Sequence, residues 1–285
     1  MPTATPLSLA HASLADAVLP SVLAAARIQM GYFRSGTAVI TKADTTPVTA
    51  ADRLSEAVIL AALAQIAPSV PVIAEEAMAA GVMPQLGPEP DAEFFLVDPL
   101  DGTREFINGR PEFTINIALV RGGVPRFGLI YAPASGILTA TLGDDHCVEA
   151  YVAPDAAVTR LAELTLAAIH TRTAPAAGLV AVASLSHNSP GTDAFLAQYT
   201  IIRRIAAGSS LKFCLVAKGD ADIYPRVGPT CEWDTAAGHA VLAAAGGTVT
   251  TIDGAPLLYG HAERGFENPD FVAWGRGPLA RVREV

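Results

Sequence analysis

Lysine and arginine are scarce in this chain. Nineteen basic residues stand against 28 acidic ones, for a formal net charge of −9, and the basic residues form no block. A nucleic-acid polymer held through its phosphates needs a basic stripe, so no such partner is expected. Cysteine is scarcer still. Cys147, Cys214 and Cys231 are odd in number and no two stand as C-x-x-C. That excludes a disulfide framework and a thiolate zinc site, and fits free thiols in a reducing cytoplasm. The histidines, at 11, 146, 170, 187, 239 and 261, are scattered without metal-ligand spacing. Long apolar runs are missing too. The mean hydropathy is +0.37, but alanine carries much of it. The longest stretches, such as residues 57–64, fall far short of the ~20 residues a spanning helix needs, so no transmembrane segment is expected. The first twenty residues hold no Lys or Arg, which leaves no basic start for a secretory signal. No basic amphipathic helix supports peripheral attachment to a membrane.

What the chain does have is apolar content, 51% of 285 residues, enough for a large core in one big domain or two subdomains. Helical spacing of Leu14, Val18, Leu19, Val22, Leu23 and Ala26 predicts a helix over about 7–33, with Pro20 as a point of kinking or division. Thr49 reads as the N-cap of a second helix to about 66, with Leu54, Val58, Leu60 and Leu63 inside. Residues 71–74 read as a short strand ending at Glu75-Glu76, and 77–92 as a mobile surface loop. Strands over 113–120, 126–131 and 137–142, with glycine- and proline-bearing turns between them, read as antiparallel hairpins. Periodicity weakens over 151–175, where a joint is expected between an α+β subdomain, 1–150, and an α/β subdomain, 151–285. In the second, strands over 179–184, 200–205, 223–224 and 247–252 alternate with helices over 191–198, 211–218 and 233–245.

Three segments carry chemistry. The apolar run 94–97 ends on Asp98-Pro99-Leu100-Asp101-Gly102-Thr103. Pro99 is expected to stop the strand and Gly102 to allow a tight turn. Two carboxylates and a backbone carbonyl then lie close together, an all-oxygen set suited to a hard divalent cation such as Mg²⁺. The N–H groups of Gly102 and Thr103 can hold a phosphate against it. Ordinary Asp-Pro and Asp-Gly turns share this composition. Glu75 faces the same cavity if its strand neighbours the run 94–97; otherwise Glu75-Glu76 is a solvated loop start. Trp233-Asp234-Thr235-Ala236-Ala237-Gly238 opens a helix with Asp234 near its N-cap, and the small residues 236–238 admit something close to the helix. That is either a capped core helix or a further carboxylate brought from the distant half of the chain.

Asp98-Pro-Leu-Asp-Gly-Thr-Arg-Glu-Phe106, with Trp233-Asp-Thr-Ala-Ala-Gly238 after it and Glu-Glu before it, resembles the paired signature of the inositol monophosphatase superfamily of Mg²⁺-dependent phosphatases. The resemblance implies a layered α/β/α/β/α sandwich with its site between two subdomains. It makes Glu75, Asp98, Asp101 and Asp234 metal carboxylates, with the Leu100 carbonyl as an added ligand, for two or three Mg²⁺ ions. Gly102 and Thr103 would hold the scissile phosphate. Thr103 would activate water with Asp52, from Val48-Thr-Ala-Ala-Asp52, and Glu75 would join them in catalysis. Gly208-Ser-Ser-Leu-Lys-Phe213, Ile223-Tyr-Pro-Arg226 and Ser184-Leu-Ser-His187 further resemble the 3′(2′),5′-bisphosphate nucleotidase branch. That branch implies hydrolysis of adenosine 3′,5′-bisphosphate to AMP by a cytoplasmic monomer or homodimer. Ser186, His187, Ser209, Lys212, Arg226 and Asp234 would be substrate contacts, Arg226 suited to bidentate phosphate binding and Lys212 to a point-charge contact. An inositol or sugar-phosphate phosphatase with the same metal chemistry is the alternative. An idle binding protein is disfavoured, because every carboxylate and Thr103 is present. His239 is expected to be a packed histidine and Cys214 a core residue.

Overall fold

The computed structural model describes residues 10–35, 39–41, 47–87, 91–184 and 189–276. Helix α1 (His11–Ser35) buries the expected stripe and runs through Pro20, which faces solvent; the start expected at residues 7–9 lies outside the described residues. Strands β1 (Val39–Thr41) and β2 (Pro47–Thr49) pair antiparallel, and α2 (Ala50–Ile66) follows directly after Thr49. Its buried face is rotated from the expected one. Leu54 is exposed, while Ala51, Ser55, Ile59 and Leu63 are buried together with Asp52 and Glu56. Apolarity misplaced that face because part of it is polar where it approaches the site.

Strand β3 (Val72–Ala74) passes into α3 (Glu75–Ala79), so the segment expected as loop begins as a helix. Strand β4 (Glu93–Asp101) does not stop at Pro99. It shifts register against its neighbour between Asp98 and Asp101, an irregularity of the kind that accommodates a residue without an N–H. After α4 (Thr103–Ile107) come β5 (Thr114–Arg121), β6 (Val124–Ala132), β7 (Ile137–Gly143), β8 (His146–Tyr151) and β9 (Ala167–Ala168), the last two not foreseen. The large sheet runs β3-β4-β5-β6-β7-β8-β9; β3 and β4 are parallel, and the pairs from β4 onward are antiparallel.

The second half supplies β10 (Leu179–Ser184), α5 (Pro190–Leu196), β11 (Ile201–Ala207), α6 (Leu211–Ala217), β12 (Ile223–Arg226), α7 (Glu232–Ala244), β13 (Thr248–Thr251) and β14 (Phe271–Trp274). Its sheet runs β11-β10-β12-β14-β13. The unforeseen β14 lies antiparallel to β12 and β13.

Alternation along the strands sorts side chains into layers. Phe95, Val97, Ile115 and Ile117 pack under Leu14, Val18, Ile59 and Leu63 of α1 and α2. From the other face Phe94, Leu96, Ala118 and Val120 meet Phe213, Ala236, Ala237 and Val241 of α6 and α7, and beyond these lie Val180, Val182 and Phe271 of the small sheet. The outer face of that sheet packs Ile223, Val272 and Trp274 against Phe195 and Leu196 of α5. The fold is thus the expected α/β/α/β/α sandwich. What comes close to the small residues of α7 is the Phe213 ring: a Cβ on Gly238 would lie 2.3 Å from it. Among the described residues no helix is long and apolar enough to cross a membrane.

Candidate active site

Parallel pairing of β3 with β4 sets Ala74 beside Val97, so the next residues stand side by side: Glu75 at the start of α3, and Asp98 still paired with Asn116 of β5. The irregular end of β4 is held from several directions. The Asp98 carboxylate accepts the Leu100 N–H at 2.9 Å, and the buried Gln29 amide of α1 donates to the Pro99 carbonyl at 2.6 Å. The Thr103 hydroxyl donates to the Leu100 carbonyl at 3.2 Å. Gly102 has φ +92°, and a Cβ there would stand 2.8 Å from the Glu112 carbonyl and 3.3 Å from the Ser209 Cβ. Only glycine fits that conformation and that gap, and the gap is where the first motif meets the Gly208-Ser209-Ser210 turn. Ser209 itself has φ +45°, a left-handed conformation costly for a non-glycine residue and frequent at functional sites.

Asp234 comes from the other half. It is not the N-cap of α7 but stands at N3: Cys231 is the cap, and the Asp234 carboxylate accepts the Cys231 N–H at 2.9 Å. This reciprocal cap fixes the side chain at the helix start.

Electrostatics ties the carboxylates into one group. Burial, then the charges of Glu75, Asp101, Asp234 and Asp52, drive the Asp98 carboxyl well above its ordinary range. Asp234 is pushed up to about 8 by burial and by the charges of Asp101 and Glu75. Asp101 is raised by burial against the pull of Lys212, Asn116 and Ser210. Among the described residues no three carboxylate, histidine or cysteine side chains form a finished metal cage; the donors are gathered in one region without being closed on a point. The donor chemistry fits a hard cation. It is all oxygen, it is at least half-buried, and its ionised form gathers more negative charge than Lys212 and Arg226 offset, an excess that a divalent ion would neutralise.

Lys212 is buried, donates to the Ser209 carbonyl, and lies 5.4 Å over the Tyr224 ring. Burial lowers its pKa while the charge of Asp101 opposes the shift. Arg226 closes β12, donates to the Pro229 carbonyl at 2.8 Å, and its charge bears on both Asp234 and Lys212. Ser209 is buried, and its hydroxyl lies 3.2 Å from the Thr114 hydroxyl. Asp52 is buried on α2 and its charge reaches Asp98. Ser186 and His187 lie outside the described residues. His239 is a packed histidine, 3.2 Å from the Tyr259 hydroxyl and pushed down to about 4 by burial; Cys214 is in the core.

Sequence reasoning missed four supporting residues: Gln29, Asn116, Ser210, and Glu56, whose carboxylate accepts the Glu76 N–H at 2.8 Å. A cue existed for two of them. Glu56 lies one turn from Asp52 on the same helix face, and Asn116 interrupts an apolar strand on the face it shares with Thr114.

Known proteins place this geometry. The chain is 42% identical over 234 residues, 82% of its length, to the 3′(2′),5′-bisphosphate nucleotidase CysQ of Escherichia coli strain K12, of which it covers 87%. The crystal structure of CysQ from Bacteroides thetaiotaomicron superposes with a TM-score of 0.77 at 34% identity, covering 94% of this chain and 98% of that one. An inositol monophosphatase of Thermotoga maritima, at 22% identity, TM-score 0.69 and 90% coverage of both chains, shares the fold. The profile of the inositol monophosphatase family matches residues 10–274, and with these relatives it shows that the chain belongs to the inositol monophosphatase family.

Proposed function

We propose that the chain is a magnesium-dependent 3′(2′),5′-bisphosphate nucleotidase that hydrolyses adenosine 3′,5′-bisphosphate to AMP and phosphate. The observation that carries this reading is Lys212, a buried cation beside Asp101 with Arg226 at the rim. A substrate with a second phosphate needs protein cations, because metal ions neutralise only the reacting end. The relatives named as bisphosphate nucleotidases support the same substrate class.

In this reading Glu75, Asp98, Asp101 and Asp234, with the Leu100 carbonyl, hold two or three Mg²⁺ ions. When bound, the ions neutralise charge on the phosphoryl oxygens as Lewis acids. The chain's own groups do the rest. The first N–H groups of α4 have no partner inside their helix, and those of Gly102 and Thr103 orient the scissile phosphate. The Thr103 hydroxyl turns from the Leu100 carbonyl, accepts a proton from the attacking water and passes its own to Asp52, with Glu75 beside the water. A P–O bond forms to the water oxygen as the bond to the ribose 3′ oxygen breaks, and that oxygen takes a proton from a solvent water to leave as a hydroxyl, the proton on Asp52 returning to solvent. Ser186, His187, Ser209, Lys212, Arg226 and Asp234 hold the nucleotide and its 5′-phosphate. The enzyme works as a cytoplasmic monomer or homodimer. Its site lies between subdomains 1–150 and 151–285, a division supported by the large sheet drawing all but β9 and the last residue of β8 from the first part.

Phosphate release from adenosine 3′,5′-bisphosphate with and without Mg²⁺ tests the reading. Release that requires the ion and vanishes in Asp101→Asn is the expected result; release that survives the substitution overturns the role given to Asp101. Lys212→Met should raise KM for the bisphosphate roughly 10- to 100-fold, the cost of a lost charge-assisted contact, and reduce inositol 1-phosphate turnover by much less, the part owed to the lost pull on Asp101.

A further inference from the structure

Ser210 stands where the two halves of the site meet. Its hydroxyl donates to the main-chain carbonyl of Asp234 at 2.9 Å and accepts from the Asn116 amide at 2.9 Å. Its backbone N–H and hydroxyl also face the Asp101 carboxyl. Asn116 is the third residue of β5, fully buried, and its amide nitrogen reaches the Asp101 carboxylate at 3.4 Å. The amide oxygen accepts the Thr114 hydroxyl at 3.0 Å; the ionised Asp101 carboxylate, which can only accept, calls for the NH2 group on its side. Asn116 and Ser210 therefore join a carboxylate of the first motif to the backbone of a carboxylate residue from the second.

We propose that Asn116 and Ser210 form a positioning bridge that sets the separation of Asp101 and Asp234, and through it the affinity of the site for its divalent ion. This rests on the reading of those two aspartates as ligands. A buried amide in an otherwise apolar strand costs free energy unless it is bonded, and an apolar side chain facing α7 would pack there without that cost. The bonds of this amide lead instead to the two carboxylate residues, directly at Asp101 and through Ser210 at Asp234. A closed network of this kind holds its members rigidly, and partners that orient metal ligands govern affinity about 10- to 100-fold.

The test is Mn²⁺ binding to the full chain, followed by the electron paramagnetic resonance of the free ion, alongside metal-free melting curves. Ser210→Ala should weaken Mn²⁺ binding about 10-fold or more with the metal-free melting temperature held. Asn116→Leu should do the same, and the double variant should lose no more than either single one, since both break one bridge. Ser210→Ala decides the matter alone if Asn116→Leu fails to fold. Binding by Ser210→Ala equal to the parent overturns the bridge, as does a double variant whose losses simply add. Asp101→Asn separates the two levels: if the parent has no Mn²⁺ site that this substitution removes, the ligand reading falls and the bridge with it.

Discussion

Gly102 has no room for a methyl group and adopts a backbone conformation that other residues avoid. Gly102→Ala is therefore expected to cost about 1–3 kcal/mol of stability and most of the activity, read from urea unfolding and phosphate release; a variant with parental activity would contradict the role of this turn. His239 supplies a pH test away from the carboxylates. Its folded pKa, down to about 4 against 6.5, means the unfolded chain binds the extra proton. Its contribution to stability is present above 6.5 and lost as pH falls through 4. His239→Gln should flatten the loss of stability across that window in urea midpoints taken at several pH values. At this scale Asp98 and Asp101 stood out by their own spacing as a candidate oxygen set, whereas Glu75, Asp234 and Asp52 were assigned only through the resemblance of the motifs. Asn116, Ser210 and Gln29 were not, because their meaning lies in partners distant in the chain: Gln29 from Pro99, Asn116 and Ser210 from each other.

At the scale of elements, helices and strands with a clean apolar stripe were readable, α1 most plainly. Where chemistry intrudes on an element, the pattern misled. The buried face of α2 carries Asp52 and Glu56 and so did not look buried. Strand β4 was expected to stop at Pro99 and instead bulges through it, which is what brings Asp98 and Asp101 to one place. The short β14 has four residues, too few for a period to show. The α6–α7 contact gives a test of packing alone. Gly238→Ala pushes a methyl into the Phe213 ring and should destabilise by about 1–3 kcal/mol, as overpacking does. Phe213→Leu in the same chain should restore part of the loss in thermal melts, whereas purely additive losses would contradict the contact.

Over the whole molecule, the proposed ligand set is split between the two halves of the chain: Glu75, Asp98 and Asp101 belong to the first and Asp234 to the second. An ion that binds only the assembled site stabilises the fold by mass action. Mg²⁺ should therefore raise the melting temperature in a concentration-dependent way, and Asp101→Asn should abolish that rise. The layered architecture was legible from the change in strand–helix rhythm and from the resemblance of the motifs; the antiparallel β14 inside the second sheet was not. The central claim is that the second phosphate is read by Lys212 and Arg226. The most direct measurement is the ratio of kcat/KM for adenosine 3′,5′-bisphosphate to that for inositol 1-phosphate, in the parent and in Lys212→Met. A ratio strongly favouring the nucleotide, collapsing in the variant mainly through the nucleotide value, is the expected result. A parent that prefers inositol 1-phosphate, or a ratio indifferent to Lys212, would contradict it.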